Sequence, residues 1–153
     1  ASADSVRTAF EESGVLELCL EHQPGKPWPT LEEMALTDQR LVVFTDHEGG
    51  AFPWYHDIWS FSWETHWSFQ KKEDFNCLMN RGAPDNDLMI MNHFLTAPIA
   101  LESLAETVNG KQDILDRVEI CTRQNTQHPN FIAVDFYSIG GVIEAVEALN
   151  SRL

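Results

Sequence analysis

Three polar pairs directly follow short apolar runs in this sequence, and their residue types could do chemistry. The carboxylate and amide groups can accept hydrogen bonds from sugar or polyol hydroxyls, and a carboxylate can also hold a cation or orient a histidine. A histidine at such a position could act as a general acid or base. The pairs are Asp46 with His47, Asn92 with His93, and Asp135 with Tyr137.

Each of these residues also has a simpler explanation. A single polar side chain at the end of a strand more often caps a neighbouring loop, and a lone histidine is more often a surface or hydrogen-bonding residue. Three strand ends with the same feature favour a binding site over three separate caps. We therefore expect the pairs to border one site.

The runs before these pairs predict strands that are buried on both faces. They cover residues 40–46, 87–92 and 130–135, and each is apolar for about four residues between polar ends. Helical spacing of apolar residues predicts helices over 114–124 and 142–149. Strands that alternate with helices predict an α/β protein built from parallel βαβ units. The right-handed crossover would then place all three strand ends at one edge of the sheet.

Two further helices are predicted near the N-terminus from their capping residues. Ser2 can cap a helix that runs through Glu12 and is ended by Gly14. Thr30 and Glu33 form a capping box that opens a helix running to about residue 36.

The segment 48–84 predicts a long aromatic-rich loop insert within a single segment spanning 1–153. It contains the four tryptophans at positions 54, 59, 63 and 67. Long inserts of this kind are usually functional when they are ordered. These aromatic residues could either form a small core that seals one end of the fold or line a ligand pocket.

Charge and cysteine content narrow the classes of partner and compartment. Ten basic and twenty-four acidic residues give a net charge of −14, which repels phosphate backbones and disfavours nucleic acid as a partner. The same acidity can serve solubility alone. No apolar run reaches the roughly 18 residues of a transmembrane segment. Cys77 and Cys121 could form a bridge in an oxidising compartment, or all three cysteines, including Cys19, could be buried thiols.

Common catalytic motifs are missing from the sequence. It has no glycine-rich phosphate loop, no nucleophile elbow and no His-Glu-x-x-His motif. Gly140 and Gly141 open a helix after the last predicted strand, where backbone N–H groups could receive a phosphate. A tight strand-to-helix turn explains these two glycines equally well.

Five segments in order resemble the successive motifs of the phosphatidylinositol-specific phospholipase C X-domain-like (PLC-like phosphodiesterase) family. They are KPWPTLEEM (26–34), RLVVFTDH (40–47), FSWET (61–65), NHFL (92–95) and PNFIAVDFY (129–137). The resemblance implies a (β/α)8 TIM-type barrel of which this chain supplies the C-terminal half. It also implies a secreted phosphoric diester hydrolase or lyase that acts on phosphatidylinositol-like phosphodiesters.

The family's catalytic histidine pair belongs to the first βα units, which have no counterpart here, so the acid and base roles are not transferred to His47 or His93. The resemblance instead implies a substrate-binding edge and no catalytic residue. Its members are Asp46, His47, Trp63, Glu64, Asn92, His93, Asp135 and Tyr137.

Partners follow from the same resemblance. A full barrel needs about 250 residues, and the chain begins without methionine, so we expect a missing N-terminal half as its partner, along with an inositol-lipid or other phosphodiester head group. Alone, the chain is expected to be inactive. No cofactor is specified, although calcium could offset the repulsion between an acidic protein and an anionic lipid surface. The alternative is a non-catalytic polyol- or phosphate-binding module.

Overall fold

A computed structural model describes residues 1–96 and 98–152 and divides the chain into two compact units, Ala1–Phe61 and Ser62–Leu153. Helices and parallel strand pairs occur in both units, which confirms the predicted α/β class. The helices are α1 (Ala3–Ser13), α2 (Leu31–Leu36), α3 (Glu102–Val108), α4 (Lys111–Asn125) and α5 (Val142–Asn150). The strands are β1 (Val43–Thr45), β2 (Tyr55–Asp57), β3 (Ser62–Thr65), β4 (Met79–Gly82), β5 (Leu88–Asn92) and β6 (Phe131–Ala133).

The first unit begins with two helices whose caps match the sequence prediction. The Ser2 side chain accepts a hydrogen bond from the Ser5 N–H at the start of α1, and Gly14 ends that helix with φ 72°. Thr30 and Glu33 form the predicted capping box of α2. The capping side chains lie within a few residues of the groups they bond, which explains why the sequence predicts these ends, although the Ala3 N–H of α1 also donates to the distant Glu48 Oε2 at 2.6 Å.

A parallel pair, β1 and β2, forms the sheet of the first unit, with Phe44 opposite His56. An apolar cluster around Ala3, Cys19, Trp54 and Tyr55 supports it. The Trp54 ring stacks on Phe10 of α1 at 4.9 Å between centroids. Trp54 therefore belongs to a small core, one of the two roles that the sequence left open for the tryptophans.

The second unit is built on a four-stranded sheet in the order β4-β3-β5-β6. Strands β3, β5 and β6 are parallel, and β4 is an antiparallel edge strand. The connection from β5 to β6 carries α3 and α4, which makes it the βαβ unit predicted from the alternation of strands and helices. Strand β5 is therefore flanked on both sides, and its carboxyl end lies among its neighbours.

The main core of the second unit lies between this sheet and its helices. Trp63, Met89 and Met91 pack there against buried residues of α4 and α5. A disulfide between Cys77 and Cys121 joins the segment before β4 to α4, while Cys19 is a buried free thiol.

Two features differ from the sequence prediction. The three predicted strands do not share one sheet, since the run 40–46 forms β1 beside β2, whereas β5 and β6 are neighbours in the other unit. The segment 48–84, predicted as a loop insert, contributes β2, β3 and β4. These strands are only three or four residues long and each contains polar residues, so none shows the continuous apolar run that predicts a buried strand, although β3 is buried along its length.

Candidate functional site

A buried carboxylate, Glu64 of β3, organises the polar groups at the carboxyl ends of β3 and β5. Its Oε1 accepts hydrogen bonds from Asn80 Nδ2 at 2.8 Å and Arg81 Nε at 2.7 Å. Its Oε2 accepts one from Asn92 Nδ2 at 2.9 Å. The second Asn92 amide hydrogen goes to the Thr65 carbonyl at 2.8 Å, so both strands are joined at this point. Two predicted site residues, Glu64 and Asn92, are thus brought into direct contact.

The surroundings of Glu64 keep it ionised. Burial acts to raise the pKa of this carboxyl, but the hydrogen bonds from Arg81, Asn92 and Asn80 outweigh burial and hold its pKa below the usual value. A carboxylate in that state is a hydrogen-bond acceptor and an electrostatic anchor, and it is not a proton donor at neutral pH. Its chemical role is to hold Asn92 and Arg81 in place.

His93 continues β5 and is enclosed, at 1% exposure. Its Nε2 lies 2.8 Å from the Val108 carbonyl, which can only accept, so Nε2 carries the hydrogen. Its Nδ1 lies 3.3 Å from Nη1 of Arg117, which can only donate, so Nδ1 is the acceptor. Burial, assisted by the Arg117 charge, lowers the pKa of His93 to about 4, although the Val108 hydrogen bond acts in the opposite direction. His93 is a neutral ring in one tautomer, with both nitrogens engaged.

Arg117 of α4 holds this strand end from the helix side. Its Nη1 donates to the Asn92 carbonyl at 2.6 Å and its Nη2 donates to the Asn76 carbonyl at 3.1 Å. The guanidinium lies 4.0 Å from the centroid of the Phe75 ring, a cation–π contact. Burial lowers the pKa of Arg117 to about 10, so it remains charged at neutral pH.

Asp135 and Tyr137 follow β6 and are more open. Asp135 is half-buried and Tyr137 is 68% exposed. The Asp135 carbonyl accepts a hydrogen bond from Asn109 Nδ2 at 2.9 Å. The Gly141 N–H donates to the Asn109 carbonyl at 2.8 Å, so this group, a candidate for receiving phosphate, already has a partner. A Cβ on Gly140 would lie 2.4 Å from that carbonyl, which explains why glycine is needed at this turn.

Asp46 and His47 belong to the first unit, where they follow β1 and are exposed. The His47 N–H donates to Thr45 Oγ1 at 3.1 Å, and His47 Nε2 lies 3.7 Å from Glu48 Oε1. These contacts leave both side chains accessible to solvent.

Trp63, the remaining predicted site residue, packs in the core and is 3% exposed. Its Nε1 donates to Gln127 Oε1 at 2.7 Å. Side chains alternate along a strand, so Trp63 and Glu64 point to opposite faces of β3. The packing of Trp63 supports a core role rather than ligand contact.

Within residues 1–96 and 98–152, no three His, Cys, Asp or Glu side chains converge in a way that could hold a metal ion. The calcium ion considered from the sequence therefore has no fitting set of acidic side chains there, and no step is assigned to it. None of the described helices is both long enough and apolar enough to cross a membrane.

Sequence reasoning missed the arginines and the amides that complete the site. Arg117 lies three residues after Ile114, on the apolar face of α4, and a charged residue on such a face is a signal that could have been used. Arg81 and Asn80 lie on β4, which has no apolar pattern to reveal it. Asn109 lies between two helices and resembles an ordinary helix end.

In α/β proteins, ligands commonly bind at the carboxyl ends of parallel strands, which is where β3 and β5 of this chain carry the bonded polar cluster. The family model for PI-PLC X matches residues 2–150. The chain therefore belongs to the PI-PLC X family, as the sequence motifs predicted.

Relatives among known proteins agree with this assignment. A PI-PLC X domain-containing protein 1 of Arthroderma benhamiae is 29% identical over 80% of this chain and 45% of its own length. A protein of the same fungus, named an uncharacterized secreted protein, is 30% identical over 82% of this chain and 33% of its own length. A PI-PLC X domain-containing protein of Arabidopsis thaliana is 28% identical over 82% of this chain and 31% of its own length.

The chain thus spans less than half the length of these relatives. No solved structure matches it significantly.

Proposed function

We propose that this chain is the C-terminal half of a (β/α)8 barrel that acts as a phosphoric diester hydrolase or lyase. In this proposal it supplies the substrate-binding edge, and a complementary N-terminal half supplies the catalytic histidine pair. Membership of the PI-PLC X family supports the phospholipase C-like activity. The relatives' greater length is consistent with a larger catalytic unit.

The observation that carries the proposal is the carboxylate–amide pair of Glu64 and Asn92 at the ends of two adjacent parallel strands. A buried, ionised carboxylate is costly unless it is bonded, and here three side chains bond it. Such a cluster can hold polar groups in fixed positions for a polyol or phosphate ligand. Arg81, whose side chain is 48% exposed, adds positive charge at this edge.

The proposed contacts to the head group divide by exposure. In the second unit, Asp135 and Tyr137 are open enough to touch a ligand directly, and Glu64 and Asn92 organise the strand ends; in the first unit, Asp46 and His47 are exposed and remain proposed head-group contacts. The enclosed rings of Trp63 and His93 support the strand ends of the second unit from within. The secreted relative and the Cys77–Cys121 disulfide both support secretion.

One observation favours the alternative, a non-catalytic module that binds a polyol or phosphate. Both nitrogens of His93 are engaged, so this strand-end histidine cannot exchange a proton with a ligand without breaking a contact. A binding module needs no such exchange, whereas an enzyme needs histidines from elsewhere.

The test begins with the residues encoded upstream of Ala1. Two strand-end histidines a few tens of residues apart are expected there, and the longer chain should then convert phosphatidylinositol vesicles to a cyclic inositol phosphate, detected by ³¹P NMR. Glu64→Gln should lower kcat/KM at least tenfold with the fold retained, while Glu73→Gln, an exposed carboxylate of the same unit, should leave it unchanged.

Turnover by the 153-residue chain alone would overturn the division of labour between the two halves. An upstream region without histidines, together with saturable binding of inositol phosphate and no turnover, would establish the binding module instead.

A further inference from the structure

A cavity of about 350 Å³ in the first unit combines polar side chains with apolar walls, and it contains none of the residues placed above in the phosphodiesterase site. Its polar lining includes His22, His56, Asp57 and Ser60. A second cavity of about 440 Å³ shares His22 with it and is also lined by Lys26. Cavities of this size suit small organic ligands.

His56 is the most informative residue of this cavity because it is only 3% exposed. Its Nε2 lies 3.1 Å from the Leu20 carbonyl, so Nε2 carries the hydrogen. No hydrogen bond to its Nδ1 is present among the described residues. Burial lowers the pKa of His56, which keeps the ring neutral and leaves Nδ1 as an acceptor. His56 lines the cavity, so this ring nitrogen can accept a hydrogen bond from a ligand there.

The neighbouring groups are acceptors as well. Ser60 Oγ donates its hydrogen to Asp57 Oδ2 at 2.7 Å, so the hydroxyl oxygen offers only lone pairs to a ligand. The Asp57 carboxylate accepts and carries negative charge. Three acceptors, one of them charged, match a ligand that brings donors and positive charge.

The apolar walls fit the same kind of ligand. Phe52 and Phe61 line the cavity, and the His22 ring stacks on Trp28 at 4.0 Å between centroids. Aromatic faces attract organic cations. A net charge of −14 also draws cations towards this protein.

The cavity is shaped by a glycine turn that packs against Asp57. A Cβ on Gly49 would lie 2.3 Å from the Asp57 Cα, so no other residue fits without moving the backbone. Gly50, with φ 84°, donates its N–H to the Tyr55 carbonyl at 2.6 Å. The turn thus holds the chain close to the carboxylate.

We propose that this cavity binds an organic ammonium group, with Asp57, His56 Nδ1 and Ser60 Oγ accepting its N–H bonds. A metal ion is disfavoured because no cluster of three or more His, Cys, Asp or Glu ligands occurs in the described parts of the chain. A neutral polyol would satisfy the acceptors but would leave the Asp57 charge uncompensated. The proposal stands independently of the phosphodiesterase activity.

Titration of the chain with ethanolamine, followed by the imidazole signals of His22 and His56 in ¹H–¹³C NMR, tests the proposal. Saturable shifts of both rings are expected, with myo-inositol and inorganic phosphate binding at least tenfold more weakly. Choline, which has no N–H group, should also bind more weakly, and this comparison isolates the hydrogen bonds from the cation–π contact.

The decisive variant is Asp57→Asn, which removes the charge but keeps an oxygen that can accept from Ser60. Ethanolamine affinity should fall at least tenfold, while Glu12→Gln on α1, an exposed carboxylate outside the cavity, should leave it unchanged. Circular dichroism confirms that both variants fold. Equal ethanolamine affinity in Asp57→Asn and the parent chain, tighter binding of myo-inositol, or no saturable shift would overturn the proposal.

Discussion

The ends of β5 and β1 follow the same sequence pattern but have opposite surroundings. Asn92 and His93 are 6% and 1% exposed and are hydrogen-bonded through Asn92 Nδ2 and both His93 ring nitrogens, whereas the His47 side chain is 73% exposed. Strand β5 has a parallel neighbour on each side, while β1 belongs to a two-stranded sheet. A polar residue after a strand therefore becomes a buried structural group where neighbouring strands enclose it, and stays accessible where they do not.

The largest effect is expected from the replacement of Arg117, which donates hydrogen bonds to the enclosed end of β5. Arg117→Met leaves the Asn92 and Asn76 carbonyls and His93 Nδ1 without this donor, so we expect a loss of about 3 kcal/mol in the free energy of unfolding. Arg123→Met is the matched control on the same helix, since Arg123 is 70% exposed. Urea unfolding of both variants measures the difference. Equal losses of unfolding free energy in the two variants would show that the contacts of Arg117 stabilise the fold no more than those of an exposed arginine.

The second test is the pH dependence of stability. His93 has a pKa of about 4 in the folded chain and an ordinary value of 6.5 when unfolded. The unfolded state therefore takes up the proton first as pH falls. This contribution to stability is complete above pH 6.5 and is lost as pH falls towards 4, by roughly 3 kcal/mol. The lowered pKa of His56 acts in the same direction.

Unfolding free energies measured at several pH values between 7 and 4 check this prediction. His93→Gln should flatten the profile, whereas His47→Gln, at the exposed strand end, should leave its slope unchanged. A profile that keeps its full slope in His93→Gln would assign the acid sensitivity to other groups.

The smallest expected effect compares two carboxylates. Glu64→Gln places an amide N–H opposite one of the groups that donate to the carboxylate, so two donors face each other. We expect the free energy of unfolding to fall by about 2 kcal/mol at pH 7. Asp46→Asn, at an exposed position, should change stability by less than about 0.5 kcal/mol. Thermal and urea unfolding measure both. Similar losses in the two variants would contradict the contrast between the strand ends.

Sequence patterns predicted the parts of the fold that depend on local chemistry. The caps at Ser2 and Thr30 and the apolar run of β5 involve neighbours within a few residues, so they can be read directly. Strand pairing is different, because the partner of β1 is set by packing across the unit. The apolar run at 40–46 therefore predicted a strand without indicating its sheet.

The same limit applies to the candidate site. Asn92 and Glu64 were identifiable from the strand-end pattern and from the family motif, but the contact between them depends on the register of β3 against β5. Arg117 reaches the site from a helix 25 residues beyond Asn92. Contacts between residues this far apart are hard to predict from a single sequence.

The Cys77–Cys121 bond also closes a covalent ring within the second unit. Its two cysteines are 44 residues apart, and the ring contains β4, β5 and α3, whereas β3 and β6 lie outside it. The inner strand β5 thus comes from the ring, and both of its neighbours come from the open chain. A protease that cuts once between residues 78 and 120 would leave two pieces held together until a reducing agent released them.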